Sequence, residues 1–93
     1  MHGIADMKIC VAGLGLIGGS LCMALSRAGY AADGWNRSAE SLAYALENGI
    51  IRKKAESFEG YDVVFVALPP RAALNFINSH AFKKRAVVAD IFG

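Results

Sequence analysis

The chain has 93 residues, of which 55% are hydrophobic and 19% are charged, and its formal net charge is +2. This composition is typical of one small globular domain and excludes a disordered segment. The small charge gives no support for a nucleic-acid partner, and no apolar run reaches the ~18 residues needed to cross a bilayer.

The N-terminus carries no signal-peptide pattern, because Asp6 and Lys8 interrupt any early apolar run. Cys10 and Cys22 are not spaced as a metal-binding or redox pair, so buried, reduced thiols are expected. These features predict a cytoplasmic protein without a metal site.

The first predicted element is a buried strand over 8–12, which follows a loose N-terminal end over 1–6. Apolar residues then recur at helical spacing over 16–27, and Gly29 is well placed to end that helix. The strand and the helix are joined by a short glycine-rich turn.

A second strand is predicted over 31–36, although Asp33 and Gly34 dilute its apolar character. Ser38 is a suitable N-cap for the helix that follows, and Gly49 is its stop signal. This second strand and helix repeat the order of the first pair.

A short polar edge strand is predicted within 52–56, and the strongest strand of the chain covers 62–68. A short helix around 74–77 and a buried strand over 86–91 complete the chain. Right-handed crossovers then predict an α/β fold, a Rossmann-type doubly wound parallel sheet of five strands in the order 3-2-1-4-5, with helices on both faces. Residues 1–93 are predicted to form this single domain.

The turn after the first strand contains Gly-x-Gly-x-x-Gly, formed by Gly13, Gly15 and Gly18. In a strand-to-helix turn this spacing is the fingerprint of dinucleotide binding. The first glycine permits the tight turn, the second lets a pyrophosphate approach the backbone, and the third lets the helix pack against the sheet. The helix N-terminus offers N–H groups to the phosphates. The alternative is a glycine-rich turn that binds nothing.

The end of the second strand bears on the choice of nucleotide. An NAD site usually has a carboxylate there, whereas this chain has Asn36, followed by Arg37 and Ser38. A neutral amide, a guanidinium fork and a hydroxyl favour the 2′-phosphate of NADP(H). In the alternative interpretation Arg37 points to solvent and Asn36 only shapes the turn. Asp33 would take the carboxylate's place if the strand ended three residues earlier.

The carboxyl end of the central strand is where such sheets bind ligands, and Leu68 and Pro69 lie there. Their backbone is placed to line the ribose or pyrophosphate. Trp35 is expected to pack against its neighbours, and Arg71 and His80 are expected at the surface. No residue is predicted to be catalytic.

Four segments resemble the N-terminal domain of prephenate and arogenate dehydrogenases: GLGLIGGSLCMAL, GWNRSAESLAYALENGII, DVVFVALPPRA and VVADIFG. The resemblance covers 8–93 and implies oxidative decarboxylation of prephenate or arogenate in tyrosine biosynthesis, with NADP as cofactor and NAD as the less favoured one. It also implies a role for each matching position: Gly13, Gly15, Leu16, Ile17 and Gly18 at the pyrophosphate, Asn36, Arg37 and Ser38 at the adenosine ribose or its phosphate, and Leu68 and Pro69 on the route to the nicotinamide.

Two departures qualify the resemblance. The family's catalytic histidine lies beyond the last strand, where neither His2 nor His80 matches it, and the helical substrate domain is absent. The chain is therefore expected to be a truncated cofactor half, inactive alone, with an exposed sheet edge that favours a homodimer. The alternatives are a stand-alone nucleotide-binding or interaction module, and the cofactor domain of another NADP-dependent dehydrogenase of hydroxyacid or pyrroline-carboxylate type.

Overall fold

A computed structural model describes residues 7–91, so the predicted loose end over 1–6 and the last two residues lie outside the described residues. Strands and helices alternate along the chain: β1 (Ile9–Ala12), α1 (Leu16–Arg27), β2 (Ala32–Trp35), α2 (Ala39–Glu47), β3 (Val63–Val66), α3 (Pro70–Ser79) and β4 (Val87–Asp90). Within 7–91, none of the three helices is long and apolar enough to cross a membrane.

The strands form one parallel sheet in the order β2-β1-β3-β4. This confirms a Rossmann-like α/β fold, but the predicted five strands in the order 3-2-1-4-5 are not found. The segment 52–56, predicted as an edge strand, makes a single parallel bridge between Lys54 and Gly34. The charged residues 52–54 are all exposed, so this segment has no alternating buried face to hold it along β2.

The side chains of β1 alternate between the two faces of the sheet. Ile9 and Val11 pack in one hydrophobic cluster with Cys22 of α1 and Leu42 of α2. Cys10 faces the other way. Helices α1 and α2 therefore cover one face of the sheet, as right-handed crossovers require.

The opposite face is covered by α3 and by the segment that leads into β3. Cys10 and Val64 pack there with Phe76 of α3 and with Phe58. Both cysteines are buried and free, as predicted. Burial raises the pKa of the Cys10 thiol to about 12 and that of Cys22 to about 11, so both thiols stay protonated and unreactive near neutrality.

Asp33 lies within β2 and is only 2% exposed. Two side chains from later in the chain satisfy its carboxylate. Arg52 donates from Nε to Oδ1 at 2.9 Å and from Nη2 to Oδ2 at 3.2 Å, while the Tyr61 hydroxyl donates to Oδ2 at 2.5 Å. A buried carboxylate without such partners would be strongly destabilising. These three residues, the Asp33 cluster, therefore tie β2 to the segment between α2 and β3.

The Asp33 cluster also shifts the proton equilibria of its donors. Hydrogen bonding to Asp33 raises the pKa of Arg52 above its ordinary value. Burial, followed by the hydrogen bond to Asp33, raises the pKa of Tyr61. Because the Tyr61 pKa is higher in the folded chain than in the unfolded chain, its contribution to stability is complete below about pH 10 and declines at higher pH.

We expect Tyr61→Phe to lower the free energy of unfolding by about 1–3 kcal/mol, because it leaves a buried carboxylate with one donor fewer. The matched control is Tyr44→Phe, since Tyr44 is 62% exposed. This control should change stability by less than about 0.5 kcal/mol. Urea unfolding of the three proteins measures the difference, and equal effects of both substitutions would contradict a supporting role for the Tyr61 hydroxyl.

Candidate functional site

The glycine-rich turn passes close to the carboxyl end of β3. Gly13 has φ +99°, and a Cβ atom there would lie 2.4 Å from the carbonyl oxygen of Ala67. The Gly13 N–H donates to the carbonyl oxygen of Trp35 at 2.7 Å. The turn is therefore fixed between the ends of β2 and β3, in a conformation that only glycine adopts without strain.

The other two glycines of the motif have opposite surroundings. A Cβ atom on Gly18 would lie 1.7 Å from the carbonyl oxygen of Gly13, so α1 packs directly on the turn. A Cβ atom on Gly15 would meet nothing within 4 Å in the described chain. No intrachain contact therefore requires glycine at position 15, and its open face is accessible to a ligand.

Helix α1 begins with its backbone donors exposed. Gly15 is its N-cap, no side chain of the described residues caps it, and no acidic residue lies in its first turn. Its first hydrogen bond runs from the Gly19 N–H to the Gly15 carbonyl oxygen at 2.8 Å. The N–H groups of Leu16, Ile17 and Gly18 therefore have no acceptor within the helix, and the positive end of the helix dipole lies beside them.

The residues after β2 occupy three different environments. The Leu14 N–H donates to Oδ1 of Asn36 at 3.1 Å, which leaves the Asn36 amide nitrogen as a donor. The Ser38 hydroxyl caps α2, as predicted, by accepting from the Ser41 N–H at 3.2 Å. Arg37 is exposed. A hydrogen bond thus links Asn36, the first residue after β2, to the glycine turn.

Asp33 cannot replace Asn36 as the residue at the strand end. It lies within β2, paired in register with Cys10, and its carboxylate is occupied by the Asp33 cluster. The strand ends at Trp35. Asn36 therefore stands directly after it, where an NAD site usually has a carboxylate. In the sequence, Asp33 dilutes the apolar pattern of the predicted strand. In the structure, its carboxylate connects β2 to the segment between α2 and β3.

A cavity of about 280 Å³ lies beside the end of β2. The residues that line it come from β2, the loops after β2 and β3, and α3: Trp35, Arg37, Leu68, Ala72, Asn75, Phe76, Ser79 and His80. It brings together two of the predicted site residues, Arg37 and Leu68. Pro69 is the N-cap of α3, directly after Leu68. Gly15 and Leu16 border a separate recess of about 450 Å³ between α1 and α2.

His80, which was expected at the surface, is only partly exposed. The imidazole is half-buried among aromatic rings, with centroids 4.6 Å from Phe76, 4.8 Å from Phe58 and 6.1 Å from Trp35. The signal is present in the sequence, since Ala73, Phe76 and His80 recur at the i, i+3, i+7 spacing of a buried helix stripe. Trp35 packs in the same aromatic group, as expected.

Comparisons with known proteins agree on the fold. Residues 8–92 match the family described as "NADP oxidoreductase coenzyme F420-dependent". The structure is similar to an arogenate dehydrogenase from Synechocystis, with TM-score 0.84 and 28% identity over 91% of this chain and 32% of that one. It is also similar to a prephenate dehydrogenase from A. aeolicus in complex with hydroxyphenyl propionate and NAD⁺, with TM-score 0.75 and 25% identity over 96% of this chain and 34% of that one.

A reductive aminase from Aspergillus terreus, in complex with NADPH and ethyl levulinate, shares the fold at TM-score 0.69 and 18% identity, over 90% of this chain and 31% of that one. The present chain thus spans about a third of the length of each of these solved structures. Among curated proteins, none matches the sequence. Together the matches support an oxidoreductase-like, Rossmann-type fold for this chain.

The different surroundings of Gly13 and Gly15 lead to opposite expectations. Gly15→Ala should keep its stability within about 0.5 kcal/mol and weaken binding of NADP⁺ at least about tenfold, because the new methyl group occupies the open face. Gly13→Ala should lose more than about 2 kcal/mol of stability through strain and overlap. Urea unfolding and calorimetric titration with NADP⁺ measure both effects. Wild-type affinity in Gly15→Ala would contradict contact between phosphate and this turn.

Proposed function

The chain belongs to this family of NADP oxidoreductases, and we propose that it binds NADP(H) in preference to NAD(H). We further propose that it serves as the cofactor-binding part of a dehydrogenase that acts on prephenate, arogenate or a similar substrate. The observation that carries the proposal is the combination of an uncapped α1 N-terminus with a β2 end that presents an amide and a guanidinium instead of a carboxylate.

The pyrophosphate is proposed to lie over Gly15. The open space at this position and the exposed N–H groups of Leu16 and Ile17 support this placement. Backbone donors at a helix N-terminus bind phosphate through hydrogen bonds and the helix dipole together. Gly13 and Gly18 contribute by holding the turn against β3, so that the donors are positioned before the ligand arrives.

The 2′-phosphate is proposed to lie beside Asn36, Arg37 and Ser38. Because Oδ1 of Asn36 accepts from the Leu14 N–H, the side chain presents its N–H donors, which suit a phosphate oxygen. The exposed Arg37 guanidinium offers a planar fork that matches a phosphate. Ser38 uses its oxygen to cap α2, so its hydroxyl hydrogen remains available to donate.

The similar structures do not by themselves decide between the two nucleotides, since the prephenate dehydrogenase contains NAD⁺ and the reductive aminase contains NADPH. The preference for NADP(H) therefore rests on the residues after β2. An acidic residue at the position of Asn36 would repel a 2′-phosphate, and Asp33, the nearest carboxylate in β2, is buried and already paired. Leu68 and Pro69 would line the path of the dinucleotide towards its nicotinamide.

The reaction proposed for the whole enzyme is an oxidative decarboxylation, in which the bound nicotinamide accepts a hydride while the substrate loses carbon dioxide. The residues of this chain would bind and orient the dinucleotide for that step. None of the 93 residues is assigned a catalytic role. The substrate class is inferred from the family resemblance and from the arogenate and prephenate dehydrogenases among the similar structures.

We expect wild-type protein to bind NADPH at least about tenfold more tightly than NADH, a difference of ~1.4 kcal/mol. Arg37→Ala should remove most of this preference by weakening NADPH binding alone, because NADH has no 2′-phosphate. Quenching of Trp35, the only tryptophan, follows the titrations. Arg71→Ala is the matched control and should leave both affinities unchanged. An unaltered preference in Arg37→Ala would contradict the proposed phosphate contact.

We also propose that the β4 edge mediates self-association. In the described part of the chain β4 pairs on one side only, with β3, and Val87 is 58% exposed. We expect the average mass in sedimentation equilibrium to rise with protein concentration and Val87→Lys to suppress that rise, because a lysine disfavours edge pairing. The control is Leu74→Lys on α3, where Leu74 is 60% exposed. A constant monomer mass would contradict self-association.

A further inference from the structure

The cavity beside Trp35 contains a histidine whose hydrogen bonding is half used. Nδ1 of His80 lies 2.8 Å from the carbonyl oxygen of Phe76. A carbonyl oxygen only accepts, so the hydrogen lies on Nδ1, and Nε2 carries a lone pair in the neutral ring. Nε2 has no hydrogen-bond partner among residues 7–91. Every buried side-chain nitrogen and oxygen in that range has a partner, so Nε2 is accessible from outside.

The orientation of the imidazole is fixed by its neighbours. It packs against Phe58 and Phe76 at centroid distances of 4.8 and 4.6 Å, while its Nδ1 is held at the end of α3. The rings that surround it, including Trp35, do not titrate near neutral pH. Arg37 is the one permanently charged side chain among the described residues that line the cavity. The cavity therefore combines flat apolar walls, one fixed cation and one hydrogen-bond acceptor, Nε2 of the neutral imidazole.

The base of the nucleotide is the group that would enter this cavity if the proposed function holds. With the 2′-phosphate at Arg37, the base on the same ribose lies next to the residues that line the cavity with Arg37, which include Trp35 and Leu68. Its volume of about 280 Å³ suits a single bicyclic base, and aromatic walls suit the flat face of such a ring.

We propose that His80 is a specificity-determining residue that recognises the 6-amino group of adenine by accepting its hydrogen at Nε2. The proposal rests on the function proposed above. A neutral His80 would favour a base with an amino group at position 6 over one with a carbonyl group there. The preference between the two bases should therefore be lost when the imidazole is replaced by a ring without nitrogen atoms.

The test is a calorimetric titration of the chain with NADP⁺ and with its deamino analogue, in which hypoxanthine replaces adenine. Both ligands carry the same 2′-phosphate, so its contribution cancels in the ratio of affinities. We expect NADP⁺ to bind about three- to tenfold more tightly than the deamino analogue.

Two variants separate recognition from packing. His80→Phe keeps an aromatic ring against Phe58 and Phe76 but removes both nitrogens, so the two ligands should bind within about twofold of each other. Asn75→Ala is the matched control, because Asn75 lines the same cavity with a different polar side chain. It should keep the preference for NADP⁺.

The outcomes distinguish this proposal from the one on which it rests. If neither ligand binds to the folded chain, the proposed function fails, and this inference fails with it. If both ligands bind equally, or if His80→Phe keeps the preference for adenine, the role of His80 is overturned while nucleotide binding stands.

Discussion

The backbone contacts of the glycine turn position the rest of the site. Gly18 touches Gly13, Gly13 touches Ala67 and also bonds to Trp35, and no side chain separates these segments. The N-terminus of α1 is consequently held against the ends of two strands that are far apart in sequence. Atoms beyond Cα at either glycine would push the helix away from the sheet, and the exposed N–H groups would lose their common orientation.

A second, non-local interaction supports the side of the sheet next to β2. The segment between α2 and β3 contains no helix and no regular strand, yet it covers part of one face through Phe58 and Tyr61. The Asp33 cluster fixes this segment with charged hydrogen bonds, and backbone hydrogen bonds also join residues 52–55 to β2. Phe58 in turn packs against His80, which lines the cavity. The segment held by the Asp33 cluster therefore also contributes to the packing around the cavity.

The parts of the fold that were predictable are those set by local sequence. The glycine turn, the Ser38 cap and the end of α1 at Gly29 each depend on a few neighbouring residues with distinct conformational preferences. The edge strand at 52–56 was predicted wrongly because strand formation depends on a partner and a buried face, which a polar pentapeptide does not reveal. The partners of Asp33 lie 19 and 28 residues away, and no periodicity indicates such pairs.

Because it accepts a hydrogen bond from the Leu14 N–H, Asn36 has two roles. The same side chain braces the glycine turn and faces the ribose end of the proposed site. Anyone redesigning this domain for another coenzyme would therefore disturb the pyrophosphate cradle whenever position 36 lost its acceptor oxygen. Arg37 has no such structural role, which makes it the safer starting point for altering coenzyme choice. At position 36, an aspartate would still offer an oxygen to accept from the Leu14 N–H.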